Sequence, residues 1–199
     1  MHNILVQQKF FDELACEWDQ LNGSGKTEKI EAILKSKVPP LSGPVLDIGS
    51  GTGILLPLLS RLNGHYIFEL DIARNMLKMA KQKMVYMNHH SFVHADAHHI
   101  PFNECSIGTA FCFCVYPHFN NPERAIEEIY RVLRNGGHMI LLHLMNHEEL
   151  NAMHASKNEV VAGDMLPPVK QLATELERIG FEVTHAEEDT GLYLLVAGK

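Results

Sequence analysis

The sequence predicts an α/β fold built on a mostly parallel β-sheet. From Leu41 onward, short apolar segments alternate with amphipathic segments, which is typical of repeated βα units. Two strand-like segments flank the turn Glu188-Asp-Thr-Gly191 late in the chain, so an antiparallel hairpin is expected at one end of the sheet. The 199 residues suffice for one domain with one hydrophobic core.

Composition and charge exclude several classes of protein. Apolar residues make up 46% of the chain and charged residues 21%, as in ordinary globular domains. The formal net charge is −7 and Lys and Arg form no cluster, which disfavours nucleic-acid partners. Because the sequence shows no secretory signal, no apolar run of about 18 residues and no cysteine framework, we expect a cytoplasmic monomer or homodimer without a membrane span.

The first 40 residues are expected to form two helices. Apolar residues recur at helical spacing in both segments. They are Phe11, Leu14, Ala15 and Trp18 in the first helix, and Ile30, Ile33 and Leu34 in the second. Pro39 and Pro40 are expected to end the second helix, because proline disfavours a helical conformation in the residue before it.

Strands and helices are then expected to alternate as far as residue 144. The expected strands span residues 44–48, 65–70, 91–95, 107–115 and 138–144. The fourth is almost wholly apolar, which is typical of the buried centre of a parallel sheet. The first helix between them is expected over about residues 52–61. The next is expected to turn Met76, Leu77, Ala80 and Met84 inward.

The last part of the chain carries clear boundary signals. A helix is expected to begin at Asn121-Pro122, where asparagine caps and proline takes the first helical position. Asn135-Gly-Gly137 is expected to stop that helix. Another helix is expected between Pro167-Pro168 and Gly180. The hairpin strands are expected at residues 181–186 and 192–197.

A glycine-rich loop, Asp47-Ile-Gly49-Ser-Gly51-Thr-Gly53, follows the first strand. Glycine has no side chain and accepts positive φ, so its backbone can approach a ligand closely. Ligands of open α/β sheets bind at the carboxyl ends of the strands. By itself, the loop is also compatible with a tight turn that binds nothing.

Carboxylates end the next two strands. Asp71 follows the glycine loop at about the ~20-residue separation that places a carboxylate on ribose hydroxyls. Asp96 follows the third strand. Three successive strands are therefore expected to bring Asp47, Asp71 and Asp96 to one edge of the sheet, which favours a ligand site over an empty turn.

Four segments together resemble the class I S-adenosylmethionine-dependent methyltransferases, specifically the type 11, ubiquinone/menaquinone methylase-like group. They are residues 45–53, 71–77, 95–102 and 122–137. The resemblance implies a Rossmann-like sandwich: a seven-stranded, mostly parallel sheet with a C-terminal antiparallel hairpin and helices on both faces. It also implies an enzyme that transfers a methyl group from S-adenosylmethionine to a small-molecule acceptor and releases S-adenosylhomocysteine.

The resemblance assigns the glycine loop to the methionine and ribose portions of the cofactor. The loop residues concerned are Gly49, Ser50, Gly51 and Gly53. Asp47 would shape the loop and reach the amino group. Each of these roles is implied by position in the motif.

Further cofactor contacts follow from the same resemblance. Asp71 would accept hydrogen bonds from the ribose hydroxyls, with Ile72 or Met76 against the adenine. Asp96 would lie near the adenine amino group, with Ala97 supplying a backbone contact.

Two more contacts are expected from the fourth strand and the N-terminal region. The end of the fourth strand, Cys112 to Tyr116, would pass under the methionine moiety. Phe11 and Trp18 resemble aromatic residues of an N-terminal lid, although plain core packing explains them equally well. The expected organisation is one domain over residues 1–199, with a helical lid at 1–40 and a substrate-side insertion at 143–166.

Histidines are the candidates for acceptor chemistry. His118 follows the fourth strand and is the best-placed general base; His143 is a second catalytic candidate. His147 and His154 share one face if their segment is helical. With His143 they raise the hypothesis of a metal site. The alternative is a solvated, histidine-rich helix.

Two other functions remain open from the sequence. A nicotinamide-dependent oxidoreductase would need glycine at position 54, where Ile54 stands, and a second nucleotide-binding half. A protein that binds S-adenosylmethionine without turnover, as a regulator or partner subunit, would carry the same glycine loop.

Overall fold

The computed structural model describes residues 4–22, 26–62, 64–83, 88–157 and 159–199. Seven strands form one sheet. They are β1 (Val45–Ile48), β2 (Ile67–Asp71), β3 (His90–His94), β4 (Ile107–Phe113), β5 (Leu133–His143), β6 (Glu182–Asp189) and β7 (Leu192–Gly198). Their order across the sheet is β3-β2-β1-β4-β5-β7-β6. The first five strands pair in parallel, and β7 runs antiparallel to both β5 and β6. The predicted sheet and hairpin are confirmed.

Helices cover both faces of the sheet, as predicted. They are α1 (Ile4–Leu14), α2 (Trp18–Asn22), α3 (Lys26–Lys37), α4 (Leu56–Leu62), α5 (Arg74–Lys83), α6 (Pro122–Val132), α7 (His147–Lys157) and α8 (Val169–Ile179). On one face α6 and α8 pack on strand residues that include Leu46 and Cys112. On the other, α3 and α4 pack on Val45 and Phe111. Alternate residues of each strand therefore supply two separate cores.

The predicted first helix is two helices in the structure. α1 ends at Leu14 and α2 begins at Trp18. Between them Ala15 is buried against Ala73 and Met76, and Phe11 and Trp18 pack around this small cluster. Because of this break, Phe11 and Trp18, on opposite sides of the turn, pack against the same cluster.

Two predicted boundaries were wrong, each for a different backbone reason. The predicted helix at residues 52–61 begins only at Leu56, because Gly51 and Gly53 have positive φ, which a right-handed helix excludes. α6 ends at Val132, and Leu133 is already in β5. Asn135-Gly-Gly137 therefore belongs to an irregular part of β5 instead of stopping the helix.

Other predicted features agree with the structure. Asn121 caps α6 by accepting a hydrogen bond from the Arg124 backbone N–H, with proline in the first turn. Gly180 ends α8 with φ of +116°. Met84 lies outside the described residues. Within the residues described, no helix has both the length and the apolar character that crossing a bilayer requires.

Candidate active site

A cavity lies where the carboxyl ends of β1, β2 and β4 meet the N-terminal helices. It is lined by backbone and side chains from five parts of the chain. The lining residues are Ile4, Gln7, Phe11, Trp18, Lys26, Asp47, Ile48, Gly49, Ser50, Gly51, Ile54, Leu55, Leu70, Asp71, Ile72, Met76, Ala95, Asp96, Ala97, His98, Phe113, Cys114, Val115, His118, Phe119 and Asn120. Of the 13 sequence-predicted cofactor residues, Gly53 and Cys112 are outside this lining.

The glycine loop needs its glycine at position 49. Gly49 has φ of +68°, and a Cβ added there would lie 2.2 Å from Cγ2 of Val115. Its N–H donates to the Leu70 carbonyl at 2.8 Å. Gly53 also has positive φ, but an added Cβ there would meet Ala80 at 3.1 Å, so it faces α5 and not the cavity. Gly53 therefore shapes the loop without lining the cavity.

Asp71 holds the glycine loop in place. Its Oδ2 accepts the Gly51 N–H at 2.8 Å, and its Oδ1 accepts the Ala73 N–H at 2.7 Å. Burial raises the pKa of Asp71 to about 6, although these two hydrogen bonds oppose the rise. A carboxylate has about four lone-pair directions, so Asp71 can still accept hydrogen bonds from a ligand in the cavity.

Asp47 and Glu69 form a buried pair of carboxyl groups beneath the loop. They are in register on the adjacent parallel strands β1 and β2, and their residues are 1% and 0% exposed. Among the residues described, no hydrogen-bond donor with ordinary geometry reaches any of their four carboxyl oxygens. Only Asp47 lines the cavity.

Asp96 is held at the third strand end by its own neighbour. Its Oδ1 accepts from the backbone N–H of His98 at 2.9 Å and from Nδ1 of the same histidine at 2.5 Å. Burial would raise the pKa of Asp96, but these bonds outweigh it and lower the pKa. Nε2 of His98 accepts the Asn121 N–H at 3.1 Å. His98 is therefore a neutral imidazole that fixes the direction of Asp96.

Hydrogen bonds to one side chain of α1 and one of α2 hold these two helices over the cavity. Asp12 of α1 accepts the Asn75 N–H at 2.6 Å. Asp19 of α2 accepts from the Thr52 hydroxyl at 2.5 Å and from Lys83 at 2.6 Å. These contacts connect the N-terminal region to the glycine loop and to α5.

Phe11 and Trp18 pack edge to face with their ring centroids 5.7 Å apart. Both rings line the cavity and also pack against the small cluster around Ala15. The two alternatives left open by the sequence, cavity lining and core packing, are therefore both present in the structure.

His118 forms a hydrogen bond with Asp164 at the other end of the cavity. Nδ1 of His118 lies 2.6 Å from Oδ2 of Asp164. Gln7 of α1 donates to the same Oδ2 at 3.1 Å and accepts from Asn120 at 3.2 Å. The Phe11 ring packs on the imidazole at 5.0 Å. Three separate segments of the chain thus converge on this histidine.

His154 and His143 lie behind this dyad. Nδ1 of His154 donates to the Asp164 carbonyl at 2.8 Å, and its ring centroid is 5.2 Å from that of His118. His143 is 1% exposed. Burial, reinforced by His118 and His154, lowers the pKa of His143 to about 3, so its ring is neutral near pH 7.

The structure corrects two of the predicted site residues. His143 is 1% exposed and does not line the cavity, and its ring packs against that of Tyr193. Cys112 is fully buried and faces the α6 side of the sheet. Phe113, Cys114 and Val115, which follow it in the predicted segment, do line the cavity.

The histidines proposed as metal ligands do not converge. The helical segment is present as α7, but Nδ1 of His147 bonds to Glu188 at 2.5 Å, whereas His154 turns toward Asp164. Asn151, on the same face, bonds to the Leu166 backbone. Across the described ranges, no group of three or more His, Cys, Asp or Glu side chains is arranged to hold a metal ion.

Sequence reasoning missed four functional candidates. Gln7, Lys26 and His98 line the cavity, and Asp164 orients His118. Only His98 had a local signal, since it directly follows the Ala95-Asp-Ala97 motif. The others reach the site through contacts distant in sequence.

Residues 46–141 match the family model described as a methyltransferase domain. A demethylmenaquinone methyltransferase from Clavibacter sepedonicus is 26% identical over 135 residues, which are 66% of this chain and 55% of that protein. A malonyl-acyl-carrier-protein O-methyltransferase from Marinomonas sp. is 33% identical over 97 residues, which are 48% of this chain and 36% of that protein. The chain thus spans about half the length of the first relative and about a third of the second.

Solved structures share the fold more completely. A SAM-dependent methyltransferase from Thermotoga maritima superposes with a TM-score of 0.76 at 17% identity, covering 97% of this chain and 99% of that chain. At this level of identity the likeness shows the fold, which is the Rossmann-like sandwich with its C-terminal hairpin.

Proposed function

The chain belongs to the class I S-adenosylmethionine-dependent methyltransferases, and from that membership we propose that it transfers the methyl group of S-adenosylmethionine to a small organic acceptor. One observation carries the proposal: the glycine loop, Asp47, Asp71 and His118 all line the same cavity. One end suits a cationic nucleoside ligand, and the other offers a proton acceptor.

The cofactor end fits S-adenosylmethionine by charge and by shape. A buried carboxyl group without a hydrogen-bond partner is costly, and Asp47 is such a group among the residues described. A ligand with a sulfonium and an ammonium group would satisfy it. When bound, the cofactor supplies a methyl group already activated by the positive sulfur.

The chain's own residues would hold this ligand along the strand ends. Asp71 would accept from the ribose hydroxyls with the lone pairs left after its two backbone bonds. Met76 and Ile72 would contact the adenine, and Asp96, fixed by His98, would accept from its amino group. Phe11 and Trp18 would exclude water from the opposite side.

At the acceptor end, His118 would remove a proton from the acceptor. A carboxylate can only accept hydrogen bonds, so His118 donates from Nδ1 to Asp164 and keeps its Nε2 lone pair. This is the arrangement in which a carboxylate fixes the tautomer of a general base and stabilises its protonated form. It favours an acceptor that must lose a proton, such as a hydroxyl group.

The names of the relatives support a small organic acceptor group. One relative is a demethylmenaquinone methyltransferase and the other an O-methyltransferase of a carrier-bound malonyl group. The His118–Asp164 contact is compatible with an oxygen or an activated carbon acceptor, because either one releases a proton to a base when it gains the methyl group.

Calorimetric titration tests the cofactor. We expect S-adenosylmethionine to bind one site per chain and NADH to give no binding heat. Preferential binding of NADH would overturn the proposal in favour of the oxidoreductase.

Formation of S-adenosylhomocysteine with a panel of hydroxyl, amine and carbon acceptors tests turnover. We expect an acceptor that bears a hydroxyl group to yield S-adenosylhomocysteine, because its proton can pass to His118. Binding of S-adenosylmethionine without turnover on any acceptor would instead favour a regulatory or partner protein.

The role of His118 and Asp164 is tested by His118→Gln and Asp164→Asn. We expect each to lower kcat by about 100-fold, the scale of general acid–base catalysis, and to change the Kd for S-adenosylmethionine by less than about twofold.

A matched control is Glu188→Gln. Glu188 bonds to Nδ1 of His147 at 2.5 Å in the same manner, but neither residue lines the cavity. Its kcat should stay within about twofold of the wild type, since only general stability is affected. Equal losses of kcat in Asp164→Asn and in this control would show that the dyad has no catalytic role.

A further inference from the structure

Glu69 is a buried acid that the proposed function does not use. It lies under the glycine loop, 0% exposed, and does not line the cavity. Its Oε2 would be 3.8 Å from a Cβ added at Gly53, so the side chain extends toward α5. A fully enclosed strand position normally holds an apolar residue, so packing alone does not explain an acid at this position.

The groups around Glu69 disfavour its ionised form. Across β1 its register partner is Asp47, and across β3 it is Phe92. Asp71 on its own strand adds a further negative charge, and the Ser50 hydroxyl is the polar group that opposes their effect. The Ser50 hydroxyl lies near Glu69 without ordinary hydrogen-bond geometry, and no other donor among the described residues reaches either carboxyl oxygen.

Two ionised carboxylates cannot share this place. Register partners on neighbouring strands direct their side chains to the same face of the sheet, and two like charges held close together in a buried site strongly disfavour double ionisation. Burial, and then the charge of Asp47, raises the pKa of Glu69 well above the usual range. Burial, and then the charge of Asp71, raises the pKa of Asp47 in the same direction. At neutral pH the pair must retain at least one proton.

We propose that Glu69 holds this proton and donates it as a hydrogen bond to the Asp47 carboxylate, so that one negative charge faces the cavity. Which of the two acids is ionised follows from their positions relative to the cavity. Asp47 lines the cavity and Glu69 lies behind it, so a cationic ligand stabilises the negative charge on Asp47 and leaves the proton on Glu69. Glu69 is then a positioning residue for Asp47. The identity of the cation rests on the proposed function, whereas the shared proton does not.

The shared proton is tested first on the protein without ligand. A group whose pKa is raised on folding keeps a proton that the unfolded chain has released, so the free energy of unfolding falls as pH rises between the two pKa values. From about pH 5 to about pH 8, this slope should become shallower by about one proton in Glu69→Gln than in the wild type.

Glu188→Gln is the matched control for that measurement. The pKa of Glu188 is lowered in the fold, because backbone and His147 hydrogen bonds outweigh its burial, so its contribution to the slope lies below about pH 5. The control should keep the wild-type slope above that. If Glu69→Gln does not fold, Asp47→Asn removes one member of the same pair and should change the slope likewise. An unchanged slope in the variant that folds would overturn the proposal.

Ligand binding provides the second test. The Kd of S-adenosylmethionine at neutral pH should stay within about threefold in Glu69→Gln, because the amide still donates to Asp47. It should rise about tenfold or more in Glu69→Leu, which has similar volume and no donor, since hydrogen bonds to charged groups are the stronger ones.

The results of these tests distinguish a failure of the Glu69 proposal from a failure of the proposed function. A tenfold weaker Kd in Glu69→Gln would mean that Glu69 is ionised and would overturn the proposal. If the wild type binds no S-adenosylmethionine, the proposed function fails, and the slope measurement still decides whether Glu69 holds the proton.

Discussion

The two ends of the cavity are built in different ways. At the cofactor end, backbone groups and strand-end carboxylates meet over short sequence distances: Gly51 and Asp71 are 20 residues apart. At the acceptor end, side chains from separate segments meet: His118 and Asp164 are 46 residues apart, and Gln7 and Asp164 are 157 apart. The cofactor end is therefore specified by local motifs. The acceptor end depends on how α1 and the segment after β5 pack, and can change without altering the sheet.

The largest effect is expected where the backbone itself forms the site. In Gly49→Ala the new Cβ would lie 2.2 Å from Val115 Cγ2 at a positive φ. Relieving the contact must move the loop or the end of β4, so we expect binding of S-adenosylmethionine to be lost and the free energy of unfolding to fall by about 2–4 kcal/mol. Urea unfolding and calorimetric titration measure the two effects.

Gly136→Ala is the control for backbone strain alone. Gly136 has φ of +72° with no atom within 4 Å of an added Cβ, so it should lose only about 1 kcal/mol and keep its ligand affinity. If both alanine variants bind equally well, the backbone of the glycine loop does not define the cofactor end.

The next effect is expected from Asp71→Asn. An amide in place of the carboxylate turns an NH2 group toward one of two backbone N–H donors, Gly51 or Ala73. We expect the Kd of S-adenosylmethionine to rise about 100-fold, the cost of one lost charged hydrogen bond together with an unsatisfied donor. Asp189→Asn, at an exposed turn where the side chain accepts the Thr190 N–H, should leave the Kd unchanged.

The same carboxylate gives a pH dependence. Its pKa is raised to about 6, so the wild-type affinity should weaken as pH falls through that value and the carboxylate becomes protonated. The Asp71→Asn variant cannot take up this proton. Identical pH profiles in the two proteins would assign the titration to another group.

The smallest effect is expected from Gln7→Ala at the acceptor end. Gln7 supports Asp164 by one hydrogen bond of 3.1 Å, while the backbone and the dyad itself remain. We expect kcat to fall about threefold to tenfold, corresponding to about 1 kcal/mol, with the Kd of S-adenosylmethionine nearly unchanged. Gln171→Ala, whose side chain bonds to Glu175 on the exposed face of α8, should have the wild-type kcat. A Kd effect in Gln7→Ala larger than its kcat effect would show that the two ends are not separable.

The sequence was informative where structure is local. The order of strands and helices, the cap at Asn121 and the carboxylates at the strand ends follow from periodicity and motif spacing. Helix and strand boundaries failed at Leu56 and Leu133, because positive φ in neighbouring glycines and pairing with β4 decided them.

The acceptor end was predictable only in part. His118 was visible beside the end of β4, but Asp164 has no motif and reaches it through the fold of the segment after α7. His143 was a reasonable candidate by position in the chain, yet burial removes it from the cavity. Glu69 stands two residues from Asp71, and only the register of β1 and β2 reveals that it faces Asp47.

The strand order has a consequence for how the sheet can be assembled. β7 follows β6 in the chain but lies between β5 and β6 in the sheet, and residues 193–197 are all 0% exposed. As the chain leaves the ribosome, β6 emerges with no strand to pair with, and the face covered by α8 stays incomplete until β7 is inserted. Removal of residues 192–198 would therefore open the interior of the protein and not trim its edge.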